Sequence, residues 1–491
     1  MAEANAPGAA VQGWLKLPIT ALAAVAALVA IVYLYYSGIS TAVGIPAAIL
    51  ALMACGMVIS SVNGFDGFYG LYMLKSGHGL QFIDWLAKRI PYLWRALPEW
   101  GGIVGFGLLS RTIVGRKAST PTVALGIASI AAIILLIVPN SVLLLKFLNI
   151  PGLSSLGGGT VSLQVPVLSL ETIVLLAIGI FGGMLFFMLA VLAFGSFTIL
   201  YSIFVTLSTV VAGKPNYSAL AGQLPGVVPT IPGLTIPLVS GILSLALVLV
   251  VHEFSHGILS RLSKVRLKSI GIMPFGIIPI GAFVEPDEKQ VAKLGKGTQN
   301  GIFMAGVSSN FLMALLFFVL TALMILYVMP SISRPGVVVA YVFPGTPAYN
   351  TIKPGSVVYS WNGHRVYNLS SVEAAARTSQ PLSIVNINTS TGDYSLRSNA
   401  TGKVGVGLQF AQVPYSRGPW NVFVNSVYSF LVLSFVLNFF IGGFNLLPLP
   451  GLDGWRIYKN RIKNKKTLHA MGWILGIVIL LLLLPWVWLL L

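Results

Sequence analysis

The sequence predicts a multi-pass α-helical membrane protein with a small extramembrane β-rich domain. Hydrophobic residues make up 56% of its 491 residues and charged residues only 9%, so much of the surface must face lipid. Apolar runs of about 20 residues, the length that crosses a bilayer as a helix, recur along the chain. One later stretch changes to short Val- and Ile-rich runs separated by turn residues, which is typical of small antiparallel strands.

The apolar runs define the helical part of the prediction. Residues 1–60 form an N-terminal transmembrane hairpin, and residues 121–230 add further helices and loops. A run of about forty residues, 171–212, fits either one overlong helix or a hairpin that turns near Gly195. The candidate spans are residues 17–36, 41–60, 121–138, 302–329 and 469–491.

Charge and cysteine content limit the possible partners. The formal net charge is +18, but Lys and Arg cluster just beyond apolar runs, which is the positive-inside pattern of a membrane protein and does not indicate nucleic acid binding. Cys55 is the only cysteine, so an intramolecular disulfide is impossible. Residues 17–36 are interpreted as a retained span, with a cleaved signal peptide as the alternative.

Residues 61–120 mix basic side chains with tryptophans. This composition predicts amphipathic helices that lie in the membrane interface. The alternative is a solvated loop with some core aromatic residues.

A soluble insert of residues 331–412 interrupts the apolar pattern. Residues 344–366 read PGTPAYNTIKPGSVVYSWNGHRV and resemble a PDZ domain, with a short helix after Pro-Ala, then Lys-Pro-Gly, a strand and an Asn-Gly turn. Ser356 stands where that family usually has Asp, and residues 349–351 lack its usual Gly-Leu. The resemblance therefore implies the PDZ-like fold and leaves open whether the groove binds peptide.

The first chemical motif is VHEFSHG at residues 251–257, inside the apolar run 236–259. On a helix, His252 and His256 lie one turn apart on one face, where both reach one metal ion, and Glu253 lies beside them as a candidate general base. The alternative is a purely structural role, in which these polar groups hydrogen-bond between helices. The chain has only five His and twelve acidic residues, and ionisable groups at membrane depth are usually functional, which favours the metal site.

A third ligand is required, and Asp453 is the best candidate. It lies in NLLPLPGLDG, residues 445–454, after the apolar run 422–447. Pro448 and Pro450 predict that the helix unwinds before the aspartate, and Gly454 predicts a close backbone approach. The alternative is that Asp453 only caps the next helix.

The topology brings both motifs to the same depth. Basic residues without acidic ones follow each motif, which places both near cytoplasmic helix ends. Residues 270–284 are too rich in Gly and Pro to cross, so we expect them to dip in and return. The span 302–329 then leads outward, the insert lies outside, and 422–447 returns. Three Asn-x-Ser/Thr sequences in the insert agree weakly with that location: Asn368, Asn388 and Asn399.

Together these motifs resemble the site-2 protease family of intramembrane metalloproteases. HEFSHG, the broken stretch IIPIGAFVEPDE at 277–288, the PDZ-like insert and NLLPLPGLDG occur in the family's order over residues 231–466, with wording most similar to archaeal members. The resemblance implies a catalytic membrane core in 231–330 and a C-terminal core in 413–491. It also implies one Zn²⁺ per chain, held by His252, His256 and Asp453, with Glu253 activating the water.

The resemblance also implies two substrate-positioning residues. Asn310 ends the sequence GVSSN at 306–310, which lacks the proline of the family's G-P-x-x-N element. Asn445 opens the aspartate motif.

The sequence thus predicts an intramembrane zinc endopeptidase of the cell membrane, with its active site towards the cytoplasm. The resemblance implies a transmembrane-protein substrate, cut second after a possible site-1-type protease, and the only other partner expected is the lipid bilayer. Residues 271–283 are expected either to offer a strand edge to the substrate or merely to plug a cavity. The alternatives for function are a metal-ion or proton transporter and a catalytically inactive scaffold.

Overall fold

Long apolar helices form most of the chain in this computed structural model, which describes residues 13–137, 170–213, 230–233, 235–343, 345–414 and 418–490. Within these residues, seven helices are long and apolar enough to cross a membrane, and together with two small antiparallel sheets they confirm the predicted fold class. The candidate spans run over Leu15–Leu34, Val43–Asn63, Thr172–Val211, Leu238–Leu262, Lys296–Ile332, Pro419–Phe444 and Lys465–Pro485.

The N-terminal hairpin consists of α1 (Gly13–Tyr36) and α2 (Thr41–Asn63). These two helices pack against each other, and most of their large apolar side chains are exposed, as expected for surfaces that lipid covers.

The segment after α2 differs from the interfacial helices that its composition predicts. It begins with three short strands, β1 (Gly67–Phe68), β2 (Leu71–Tyr72) and β3 (Leu74–Ser76). The helices α3 (Leu80–Arg89), α4 (Pro91–Phe106) and α5 (Ser110–Ile113) follow.

Of these helices, only α3 keeps an amphipathic pattern, with Ile83 buried and Phe82 and Trp85 exposed. Helix α4 is exposed at Tyr92 and Leu93 near its start, whereas its residues from Trp100 to Phe106 are all buried. The buried part agrees with the alternative in which some of the aromatic residues belong to a core, and the interfacial location of the segment stays a prediction.

The next segment bears on two further expectations. Helix α6 (Thr120–Ala132) continues as a π-helical turn to Ile137, so the described helix covers the span expected at residues 121–138 up to its last residue. Residue 138 lies outside the described residues. Helix α7 (Leu170–Val211) is interrupted at Gly183 instead of turning near Gly195. Gly183 has φ 63° and packs against the backbone of Gly105, where a Cβ atom would lie 2.5 Å away, so only glycine fits both demands.

Three helices form the membrane core around the motifs. They are α8 (Leu238–Leu262), α10 (Lys296–Leu323, continuing as a π-helical turn and α11, Met329–Ile332) and α13 (Pro419–Phe444). Helix α10 lies at the centre and contacts α4, α8 and α13, and the short α9 (Glu288–Lys293) precedes it. Helix α14 (Asp453–Lys459) and α15 (Lys465–Leu490) complete the chain.

The broken stretch after α8 forms a β-hairpin of β4 (Leu267–Phe275) and β5 (Ile278–Pro286). It therefore does not cross as a helix, in agreement with the prediction. One edge of β4 pairs with β5, and the other pairs with β2 and β3 from the N-terminal segment. Among the described strands, the outer edge of β5 has no partner.

The insert forms the second sheet, of six antiparallel strands, and encloses its own apolar core. The predicted Asn-Gly turn is present, because Asn362 and Gly363 both have positive φ and join β7 to β8. Residues 347–352 form turns instead of the expected short helix. The elements are β6 (Ser333–Val342), β7 (Val357–Trp361), β8 (His364–Arg365), α12 (Leu369–Ala376), β9 (Ile384–Thr389), β10 (Gly392–Arg397) and β11 (Val406–Pro414).

Candidate metal centre

Two side chains from one helix and a third from about two hundred positions later in the sequence converge in the helical core. His252 Nε2 lies 3.2 Å from His256 Nε2, and Asp453 Oδ2 lies 3.2 Å from each of these nitrogens. The three side chains are only 10–13% exposed. The structure therefore brings together all three predicted ligands, which form a group that can hold a metal ion.

The geometry of this triangle fits a tetrahedral ion. Metal–ligand bonds of about 2.0–2.1 Å place neighbouring ligands of a tetrahedron roughly 3.3 Å apart, close to the observed edges. Asp453 Oδ2 is buried and accepts no hydrogen bond from any described residue. Two histidine nitrogens and an unpartnered carboxylate oxygen directed at one point form the donor set that Zn²⁺ prefers.

Both histidines come from one turn of α8, as the four-residue spacing predicts. The other ring nitrogen of each histidine, Nδ1, also lies within hydrogen-bond distance of a partner. His256 Nδ1 lies 2.7 Å from the carbonyl oxygen of Ile302, and His252 Nδ1 lies 3.1 Å from the side-chain amide of Asn310. Both partners lie on α10, so α8 and α10 together orient the imidazoles.

Asp453 arrives by the broken route that the prolines predict. Helix α13 ends at Phe444, the chain is non-helical to Leu452, and α14 begins at Asp453 itself. The side chain of Asp453 faces the imidazoles and does not cap α14, which excludes the capping alternative.

Gly454 allows that route. Its backbone N–H donates to the carbonyl oxygen of Asn445 at 2.7 Å, and a Cβ atom on it would lie 2.3 Å from the carbonyl oxygen of Leu446. Backbone atoms cannot yield as a flexible side chain can. The close approach predicted for Gly454 is therefore present.

The side chain of Glu253 extends from α8 towards the hairpin of β4 and β5. Its Oε2 accepts a hydrogen bond of 3.1 Å from the backbone N–H of Val284 on β5. Because Val284 donates to Glu253, its N–H points away from β4, and the open edge of β5 faces α8 at this position.

The two predicted substrate-positioning residues occupy different places. Asn310 is fully buried and contacts His252, so it lies against a ligand. Asn445 ends α13, and its side-chain amide donates to the carbonyl oxygen of Ile441 in that helix. Their substrate-positioning roles remain predictions.

A polar network that sequence reasoning missed anchors the far end of α14. Asn460 donates to Asn300 Oδ1 at 2.8 Å and to Gln299 Oε1 at 3.1 Å, and it accepts a bond from Lys296. Asn300 is fully buried and donates onward to the carbonyl oxygen of Val114. The segment that delivers Asp453 is thus tied to α10 and to the N-terminal region. Polar residues at the start of the Lys296–Ile332 span are the only sequence signal for this network.

Fold and site together define a multi-pass membrane protein with a HExxH metal-ligand set completed by a distant aspartate. Residues 240–484, about half of the chain, match peptidase family M50. The chain therefore belongs to this family, which confirms the resemblance to the site-2 proteases, and the family is one of intramembrane metalloproteases.

A relative in Methanocaldococcus jannaschii, described as an uncharacterized protein, is 28% identical over 260 residues. The matched region covers 50% of this chain and 65% of that protein. It is an archaeal relative, in keeping with the wording of the motifs.

Proposed function

We propose that this protein is a zinc-dependent intramembrane endopeptidase that cuts a peptide bond in or near the transmembrane segment of a membrane-protein substrate. The observation that carries the proposal is the buried triangle of His252, His256 and Asp453, with Glu253 directly after His252 on the same turn of α8. Family membership supports the same chemistry. Among the described residues this is the one group of three or more clustered metal-binding side chains, which favours a single hydrolytic centre over a metal transport path.

The residues divide the chemistry among them. His252, His256 and Asp453 would hold Zn²⁺, which when bound supplies a Lewis acid for the scissile carbonyl and acidifies a water. Glu253 accepts a proton from that water and returns it to the leaving amine nitrogen. The hydrogen bond from Val284 keeps the Glu253 carboxylate at the edge of β5, within reach of a peptide docked there.

Presentation of the substrate follows from the open edge of β5. A peptide bond inside a helix is shielded by its own hydrogen bonds, so the substrate must become extended before it is cut. In a strand the backbone groups alternate in direction, so Ala282 presents its N–H and C=O on the same side as Val284. We infer that an extended substrate pairs with this edge by β-augmentation beside Glu253.

Sidedness and the insert complete the proposal. The basic residues that follow both motifs support a cytoplasmic active site, which would put the insert outside. There, a PDZ-like domain would exclude substrates with bulky ectodomains or bind a freshly made C-terminus. Either role suits the second cut of regulated intramembrane proteolysis, after a possible site-1-type protease.

The test is cleavage of a single-span substrate by the purified full chain, with metal content measured in parallel. Glu253→Gln should abolish cleavage while one zinc per chain is retained, and His256→Ala should lose both. A chelator should stop the wild-type reaction and added Zn²⁺ should restore it. Wild-type cleavage by Glu253→Gln would show that the assigned base is wrong. Stoichiometric zinc with no cleavage of any single-span substrate would favour the transporter or scaffold alternatives.

Docking on β5 has a separate test. In a Cys55→Ala background, Ala282→Cys should form a disulfide crosslink to a cysteine near the cleavage site of a bound substrate. Ser76→Cys on β3, across β4 from β5, is the matched control and should not crosslink. Equal crosslinking at both positions would refute docking at the β5 edge.

A further inference from the structure

One face of α10 lies directly against both histidines. Ile302, Gly306 and Asn310 follow one another at four-residue intervals, so they line one face of this helix. That face meets His252 and His256, which are four residues apart on α8. The two helices therefore match turn for turn at the metal centre.

Ile302 determines which nitrogen of His256 is free. Its carbonyl oxygen lies 2.7 Å from His256 Nδ1, and a carbonyl can only accept a hydrogen bond. Nδ1 must therefore carry the hydrogen, which leaves Nε2 with its lone pair directed at the centre of the triangle.

Asn310 stands in the equivalent position behind His252. It is fully buried, its amide nitrogen lies 3.1 Å from His252 Nδ1, and its Oδ1 has no hydrogen-bond partner among the described residues. If His252 Nε2 is to bind a metal ion, Nδ1 must carry the hydrogen, and the facing atom of Asn310 must accept it. A half-turn of the amide group presents the oxygen, because the two ends of an Asn side chain exchange donor and acceptor.

Gly306 lies between these two residues and leaves the space that the ion needs. A Cβ atom on Gly306 would lie 2.5 Å from His256 Nε2 and 2.6 Å from His252 Nε2. Any side chain at position 306 would thus press on both ligand atoms at once.

We propose that this face of α10 is the outer layer of the metal centre, with Asn310 as a positioning residue that accepts the Nδ1 hydrogen of His252 through its side-chain oxygen. Asn310 thereby orients the ligand from behind, a role different from holding the substrate. The inference rests on the metalloprotease function proposed above. Partners of this kind typically change metal affinity by about 10- to 100-fold when they are removed.

Metal titration of the purified full chain tests the inference without reference to cleavage. Metal-free protein is titrated with Co²⁺ alone, and the visible absorption of the bound ion reports affinity and ligand geometry. Asn310→Leu keeps the size but removes the acceptor, so we expect Co²⁺ affinity to fall about 10- to 100-fold with an altered spectrum. Asn310→Asp keeps an acceptor oxygen and should restore affinity to within a few-fold of wild type.

Asn438→Leu is the matched control. Asn438 is also fully buried in the helical core, but its amide donates to the carbonyl oxygen of Ser434 in its own helix. Its loss should leave Co²⁺ affinity unchanged. If Asn438→Leu and Asn310→Leu lower Co²⁺ affinity equally, Asn310 contributes only general packing. If Asn310→Leu keeps wild-type Co²⁺ affinity but has a raised KM, Asn310 acts on the substrate. Either result overturns the proposal.

Gly306→Ala is a second, independent test, and it should abolish Co²⁺ binding. Gly126→Ala is its control, because a Cβ atom on Gly126 would also lie close to a neighbouring helix, 2.6 Å from the Ile103 side chain. Gly126→Ala should not abolish Co²⁺ binding. Normal Co²⁺ binding by Gly306→Ala would contradict the proposed outer layer. Wild type should bind Co²⁺, and His256→Ala should remove this binding. If either result fails, the proposed function fails along with this inference. If wild type binds and Asn310→Leu matches it, only the inference fails.

Discussion

The two histidines of the candidate metal centre lie on one unbroken helix, α8, whereas Asp453 follows the non-helical residues 445–452 between α13 and α14. Helical geometry alone places His252 and His256 on one face. Asp453 instead depends on Gly454 packing against the loop backbone and on Asn460 holding the far end of α14. A metal centre can thus combine a locally determined pair of ligands with one whose position depends on distant contacts. The second region should be the more sensitive to substitution.

The largest expected effect compares one methyl group in each region. In Gly454→Ala the new Cβ atom would lie 2.3 Å from a backbone oxygen, which forces the start of α14 to move. Since a displacement of about 1 Å in a catalytic group costs about 100-fold in rate, we expect turnover to fall at least that far. In Gly257→Ala on α8, the contacts are 3.1 Å from the side-chain ends of Ile83 and Val284, which can shift, so turnover should change by about threefold or less. Cleavage rates and zinc content of both variants measure this difference, and equal losses would break the comparison.

An intermediate effect is expected at the anchor of α14. Asn460→Ala leaves Asn300 and Gln299 without their partner, and an unsatisfied buried polar group costs about 1–3 kcal/mol. The variant should unfold at a lower temperature and bind zinc more weakly than wild type. Asn464→Ala, which removes only an exposed bond to the Lys466 backbone, should do neither. Thermal unfolding in detergent and zinc titration test both variants. Full zinc affinity in Asn460→Ala would show that this network does not determine the position of Asp453.

The smallest effect is expected at the surface of the same helix. Arg456 on α14 lies 3.5 Å from Glu288, and these side chains are 52% and 63% exposed. Exposed ion pairs contribute about 0–1 kcal/mol, so Glu288→Gln should leave thermal unfolding and zinc affinity nearly unchanged. A loss as large as that of Asn460→Ala would mean that the surface pair, and not the buried network, holds α14.

The same contrast between local and distant contacts explains which predictions failed. The composition of residues 61–120 predicts helices, yet strands β2 and β3 in this segment pair with β4, about two hundred positions later in the chain. Short strands carry little periodicity of their own, and their partner cannot be read from their composition. The buried face of α4 cannot be read from its own segment for a similar reason, because α10, which covers it, comes much later in the sequence.

By itself, the sequence determined the membrane class, the helix that presents His252 and His256, the break before Asp453 and the β-rich insert. Each of these follows from a local property: apolar run length, four-residue spacing, proline and glycine placement, or turn residues. Only the tertiary structure decided that Asn310 lies behind His252, that Gly306 makes room for the ligand atoms and that Val284 holds Glu253. Those contacts join elements brought together by packing, and the direction of a buried hydrogen bond is set by the neighbours that surround it.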